Sequence, residues 1–162
     1  MPEDKSQFAV VADCKKFIAP NVTAKGEQRA VVALTHLKTL WFNTGSLCNI
    51  ACQNCYIKST PKNDALVYLS AQDVEKFLDE ICVENLPVEE IAFTGGEPFM
   101  NKALIAMLEM SLARGCKVLV LSNAMKPMHH RFQELLNLKQ RYGDKLAIRV
   151  SIDHYSRSKH EA

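Results

Sequence analysis

Ile91-Ala92-Phe93-Thr94-Gly95-Gly96-Glu97-Pro98 is a short apolar segment that stops on two glycines and runs into an amphipathic stretch. A buried strand, a turn bare of side chains and a proline suited to the first turn of a helix make a strand-to-helix junction. Glycines at such a turn leave room for a ligand to touch the main chain. The pattern repeats on both sides. Upstream, Leu40-Trp41-Phe42 reads as a first strand, with Trp41 expected in the core. Ser70 then caps a helix, with Asp73 three residues on and Val74, Phe77, Leu78, Ile81 and Cys82 on one face. Downstream, Asn101 is expected to cap a second helix carrying Leu104, Ile105, Leu108 and Leu112, which Gly115 ends. Val118-Leu119-Val120-Leu121 is a third strand, apolar throughout as in a sheet covered on both faces. A third helix carries Phe132, Leu135, Leu136 and Leu138, and Leu146 to Ile152 forms a fourth strand ending in Ser151-Ile152-Asp153. Strand and helix alternating at this spacing predict an α/β fold with a parallel sheet and right-handed connections.

The first strand leads directly into Leu47-Cys48-Asn49-Ile50-Ala51-Cys52-Gln53-Asn54-Cys55-Tyr56. Three thiols on one short loop ask for a metal centre. Closed zinc sites and ordinary ferredoxin clusters use four protein ligands, so a local set of three points to a centre with one position left open for chemistry. Tyr56 reads equally well as a wall of that pocket or as packing.

Composition narrows the setting. With 162 residues, 48% hydrophobic and 23% charged, the chain can bury one core and is not disordered as a whole. A net charge of +2 with scattered signs gives no basic face of the kind nucleic acids require, so no nucleic-acid partner is evident. No apolar run reaches the roughly 18 residues of a membrane span, and the polar start Met1-Pro2-Glu3-Asp4 lacks a signal core, which makes the cytoplasm the expected location. Clustered cysteines in a reducing compartment bind metal rather than pair as disulfides. Cys14, Cys82 and Cys116 stand apart and read as inert, small hydrophobes. Residues 1–36 read as an irregular lead-in with a short strand at Val31 to Leu34, and residues 37–162 as the functional core.

The cysteine triplet followed by Thr94-Gly95-Gly96-Glu97-Pro98, each at a strand end, resembles the radical S-adenosylmethionine (SAM) enzymes. The likeness is strongest to the branch containing the molybdenum-cofactor cyclisation enzyme and the peptide-modifying maturases. It implies a partial (β/α)6 TIM-like open barrel of which about four βα units are present, and a chain that is a fragment, a truncated product or a short form. It further implies that Cys48, Cys52 and Cys55 hold a [4Fe–4S] cluster whose fourth iron binds SAM. Reductive cleavage then yields a 5′-deoxyadenosyl radical that takes hydrogen from a small-molecule or peptide substrate. A low-potential donor such as a flavodoxin or ferredoxin would supply the electron. Resemblance assigns Gly95, Gly96 and Glu97 to the SAM ammonium group, Ser151 to a SAM contact, Ser122 and Asn123 to a Thr/Ser-Asn element that borders SAM or substrate, and Asp153 to a Ser-x-Asp pattern. Asn54 stands where the family often has an aromatic residue beside the adenine, which keeps a main-chain contact and removes a stacking one. His129 and His130 read as solvated, and His154 and Tyr155 as loop residues within reach of a substrate. Two other readings compete: a zinc-stabilised α/β binding module with Cys48, Cys52, Cys55 and a fourth ligand such as His36, and an inactive truncated fragment.

Overall fold

The computed structural model describes residues 21–23, 25–31 and 36–152. Asp153, His154, Tyr155, Cys14 and most of the strand expected at Val31 to Leu34 lie outside the described residues. The chain divides into two units, Met1–Thr35 and His36–Ala162. In the first, Val22 and Gln28 form an antiparallel bridge about a turn that includes Gly26.

The second unit holds four strands, β1 (Thr39–Asn43), β2 (Glu90–Thr94), β3 (Lys117–Ser122) and β4 (Leu146–Val150), in that spatial order. Every pair is parallel, so the carboxyl ends align: Asn43 stands beside Thr94, and Ser122 beside Val150. Helix α1 (Ala71–Val83) follows β1, α2 (Leu104–Ala113) follows β2, and α3 (Lys126–His129) with α4 (Phe132–Tyr142) follows β3. This is the expected α/β fold with a parallel sheet.

Period-two alternation divides the strands between two faces. Leu40, Phe42, Ile91, Phe93, Val118, Val120, Leu146 and Ile148 point one way and pack with the helices through Val74, Leu78, Leu104, Leu108, Leu112, Leu135 and Leu138. Within that core the Phe42 and Phe93 rings stack, their centroids 5.6 Å apart. The opposite face carries the register row Trp41, Ala92, Leu119 and Ala147. Trp41 is therefore not a core residue; it lies on the face away from the helices and is half exposed.

Ser70 caps α1 as expected, its hydroxyl accepting from the Asp73 amide and donating to the Asp73 carboxylate. Val74 and Leu78 of the expected apolar face are buried, whereas Cys82 is exposed on its flank. Asn101 precedes α2 without being its terminal cap: its side-chain oxygen accepts from Ala103, and its amide group reaches across to the carbonyls of Thr44 and Leu69. In α4, Leu135 and Leu138 are buried, while Phe132 and Leu136 lie on the exposed side. Strand β4 stops at Val150, and the Ser151 amide donates to the Ser122 carbonyl just beyond it.

Candidate metal and cofactor site

The segment from Thr44 to Leu69 leaves β1 and returns to its starting point, with the Leu69 amide donating to the Thr44 carbonyl. Inside it, Leu47 and Thr60 form a parallel bridge, and the Ser46 hydroxyl joins the Asn63 carbonyl to the Leu66 amide. The Cys55 amide donates to the Cys52 carbonyl and the Lys58 amide to the Cys55 carbonyl, so the last two cysteines ride on consecutive tight turns.

The glycine turn after β2 is seated directly against this loop. The Gly96 amide donates to the Gly45 carbonyl and the Glu97 amide to the Leu47 carbonyl, at 2.9 and 3.0 Å. A Cβ on Gly96 would lie 2.2 Å from the Leu47 carbonyl oxygen, and one on Gly95, whose φ is +146°, would lie 2.7 Å from the Gly45 oxygen. Both glycines are thus required by main chain meeting main chain. The two motifs form one interlocked unit.

Glu97 is 1% exposed and points away from the open space. One carboxylate oxygen accepts from the Phe99 amide and the Ser122 hydroxyl, and the other from the Asn123 amide. It ties the end of β2 to the end of β3. Its partners within the chain are the Phe99 amide, the Ser122 hydroxyl and the Asn123 main-chain amide. Burial pushes its carboxyl above the ordinary value against the pull of those three donors.

A cavity of about 220 Å³ opens at the carboxyl ends of the strands, where ligands collect in parallel sheets. Its wall includes Cys48, Cys52 and Cys55 from the loop, Gly95 and Gly96 after β2, Ser122 and Asn123 at the end of β3, and Ser151 after β4. Ile50, Tyr56, Ser59, Thr94 and Leu121 complete it. Asn54 is exposed and does not line it, and neither does Glu97. His129 and His130 are exposed outside it.

Two contributors were not visible in the sequence. The Asn123 side-chain Nδ2 donates to the Asn49 Oδ1 at 2.9 Å and stands 3.7 Å from the Cys48 sulfur. The Ser59 amide donates to the Cys55 sulfur at 3.3 Å, and the Ser59 hydroxyl is buried with no partner. A buried orphan hydroxyl costs about 1–3 kcal/mol. Burial is also the main cause raising the Cys48 thiol above its ordinary value; the Ile50 amide opposes it, and Glu97, Cys52 and Cys55 reinforce it. Thiols and an unpartnered hydroxyl on one cavity wall suit a centre that brings both positive charge and acceptor atoms.

The geometry also bears on which centre fits. Among the described residues, no three Cys, His, Asp or Glu side chains converge on one ion position. Mononuclear zinc needs four donors at about 2.0–2.3 Å from one point. A cubane cluster takes one thiolate per iron, and all three cysteines line the one cavity. His36 is exposed and precedes β1, whose five residues span about 17 Å, whereas the cysteines follow it. It stands at the wrong edge of the sheet to complete a zinc site.

The sequence profile of the Radical SAM superfamily matches residues 42–162. The chain belongs to the radical SAM superfamily. Among curated proteins it is 29% identical over 115 residues to the antilisterial bacteriocin subtilosin biosynthesis protein AlbA of Bacillus subtilis (strain 168), a match covering 71% of this chain and 24% of that protein. Among solved structures it is similar to Streptococcus suis SuiB bound to S-adenosylmethionine, with a TM-score of 0.61 and 16% identity over 77% of this chain and 27% of SuiB. SuiB bound to the precursor peptide SuiA gives the same TM-score and covers 26% of that chain. The chain thus spans about a quarter of the length of these relatives. Its sheet corresponds to part of their TIM-like barrel. No helix among the described residues is long and apolar enough to cross a membrane.

Proposed function

We propose that this chain forms the cluster- and SAM-binding part of a radical SAM enzyme that acts on a peptide. One observation carries the reading: three cysteines, two glycines with accessible main chain and three polar strand-end residues, drawn from four separate segments, line a single cavity. Cys48, Cys52 and Cys55 would hold a [4Fe–4S] cluster, which as a set of three would leave one position to SAM. When bound, the pair supplies reductive cleavage of the sulfonium bond and a 5′-deoxyadenosyl radical able to take hydrogen from substrate.

The chain's own residues orient and shield. Gly95 and Gly96, held in the cavity wall by their packing on the cysteine loop, would meet the SAM ammonium group through main-chain atoms. Ser122, Asn123 and Ser151 offer donors and acceptors along the sheet edge, with the first two fixed by Glu97. Asp153 and the Asn54 main chain complete the contact set. Ile50 and Leu121 give the cavity apolar wall that keeps water from a reactive radical. A flavodoxin or ferredoxin supplies the electron, and a cytoplasmic setting keeps the thiols reduced. The name of AlbA as a bacteriocin biosynthesis protein and the SuiA-bound form of SuiB support a peptide substrate.

The test is iron and sulfide content with a visible spectrum after anaerobic reconstitution, alongside Cys52→Ala. Near four irons per chain, brown absorbance that SAM perturbs and loss of both in the variant are expected. A colourless chain with one zinc, or a variant that loads as well as the parent, would overturn the proposal.

A further inference from the structure

A second concavity, about 590 Å³, is lined by Asn49 and Ile50 of the cysteine loop together with residues around α3. Its floor is apolar, with Ile50, Phe99, Met125 and Pro127 among its lining. Its charged lining is wholly basic: Lys102, Lys126 and Arg131, joined by the His130 imidazole. Lys102 and Lys126 are exposed and have no carboxylate partner among the described residues, while Arg131 pairs with Glu134 at 3.1 Å and donates to the Lys102 carbonyl. A chain of net charge +2 with interspersed signs does not gather cations at one hollow by composition alone. Nothing in the cluster and SAM chemistry above employs these side chains.

The hollow adjoins the cofactor cavity. Ile50 lines both, and Asn49 links them by accepting from Asn123 and donating toward the Met125 sulfur. A ligand lying over Ile50 therefore reaches from one into the other. The volume falls in the roughly 300–1,000 Å³ range of sites that engulf a small ligand. A folded partner instead needs about 800 Å² of matching surface. Apolar floor and cationic rim together select an extended segment with an apolar side chain set beside a carboxylate.

We propose that this hollow is a docking subsite for an acidic, apolar segment of the peptide substrate, placing the adjoining residues of that peptide at the cofactor cavity. It rests on the peptide-substrate reading above and names the chemistry recognised. Lys102 and Lys126 attract and pair the carboxylate, Arg131 fixes one wall, and Phe99 and Met125 receive the apolar side chain. Such pairing acts on specificity and on encounter, and weakens with salt.

The experiment is fluorescence anisotropy with a short labelled peptide of alternating leucine and glutamate, against a counterpart with glutamine for glutamate. The parent chain is expected to bind the glutamate peptide more tightly, less so as salt rises. Combined Lys102→Glu and Lys126→Glu should weaken that binding roughly tenfold or more, with iron loading and SAM binding unchanged. Equal affinity for the two peptides, or unaltered binding by the double variant, would overturn the proposal. So would a double variant that keeps peptide affinity but loses reduction by flavodoxin, since the hollow would then serve the electron donor. Because the readout needs no cluster, cluster-free protein that still discriminates the peptides would separate this proposal from failure of the cluster reading.

Discussion

Glu97 shows how much one side chain can organise within the chain. Its two oxygens take donors from Phe99, Ser122 and Asn123, so it sets the positions of two residues on the cavity wall. Glu97→Gln must turn an amide group toward the Phe99 or Asn123 amide, donor against donor, which costs about 1–3 kcal/mol at neutral pH. The carboxyl is raised in the folded chain because burial disfavours its charge. Its stabilising share is thus complete below the ordinary carboxylate value and is lost as pH climbs toward the folded value. Thermal melting of the metal-free chain should accordingly show a decline through that window which Glu97→Gln lacks. Identical pH profiles for the two would refute it. Nothing in Gly-Gly-Glu-Pro reveals this inward turn, since the order of residues does not state which way a side chain points. Ser59 and Asn49 escaped notice for a related reason: small polar residues in a loop are ordinary until their sulfur neighbours are seen.

At the scale of elements, two local devices predict opposite outcomes. Ser70 caps α1 far from the cavity, so Ser70→Ala should cost about 1 kcal/mol in stability and leave iron loading intact. Gly96 sits where the β2 turn meets the cysteine loop, and its Cβ would strike the Leu47 carbonyl, a main-chain atom that cannot rotate aside. Gly96→Ala should cost about 1–3 kcal/mol and also lower iron loading, because the loop holding Cys48 must shift. Melting and iron assay on both variants check the pair; equal iron loading in the two would contradict the interlock. The elements themselves were readable because a sheet covered by helices writes period two into strands and 3.6 into helices. Errors fell where burial is one-sided. Trp41 is apolar yet faces away from the helices, and Phe132 and Leu136 share the α4 repeat with Leu135 and Leu138 while lying on its open side. Apolarity marks a residue able to be buried and does not say which face has a cover.

Taken whole, the unit from His36 onward separates what holds it together from what it holds. The core lies between the sheet and its helices, and the cysteines lie beyond the strand ends. Removal of iron should therefore leave cooperative melting in place, and reconstitution should raise the melting temperature by ligand linkage in the parent but not in Cys48→Ala. Collapse of the helical signal on chelation would show instead that the metal is part of the fold. The amide group of Asn101 grips the Thr44 and Leu69 carbonyls at 3.1 and 2.8 Å, the two ends of the cysteine segment. That grip draws the segment shut at its neck with protein atoms alone, and the entropy of closing it is spent during folding rather than when iron arrives. Under the proposed function assembly would then have an order: the pouch is sewn first and filled afterwards, so that a carrier of iron and sulfide would meet a finished chain and need act only at its rim.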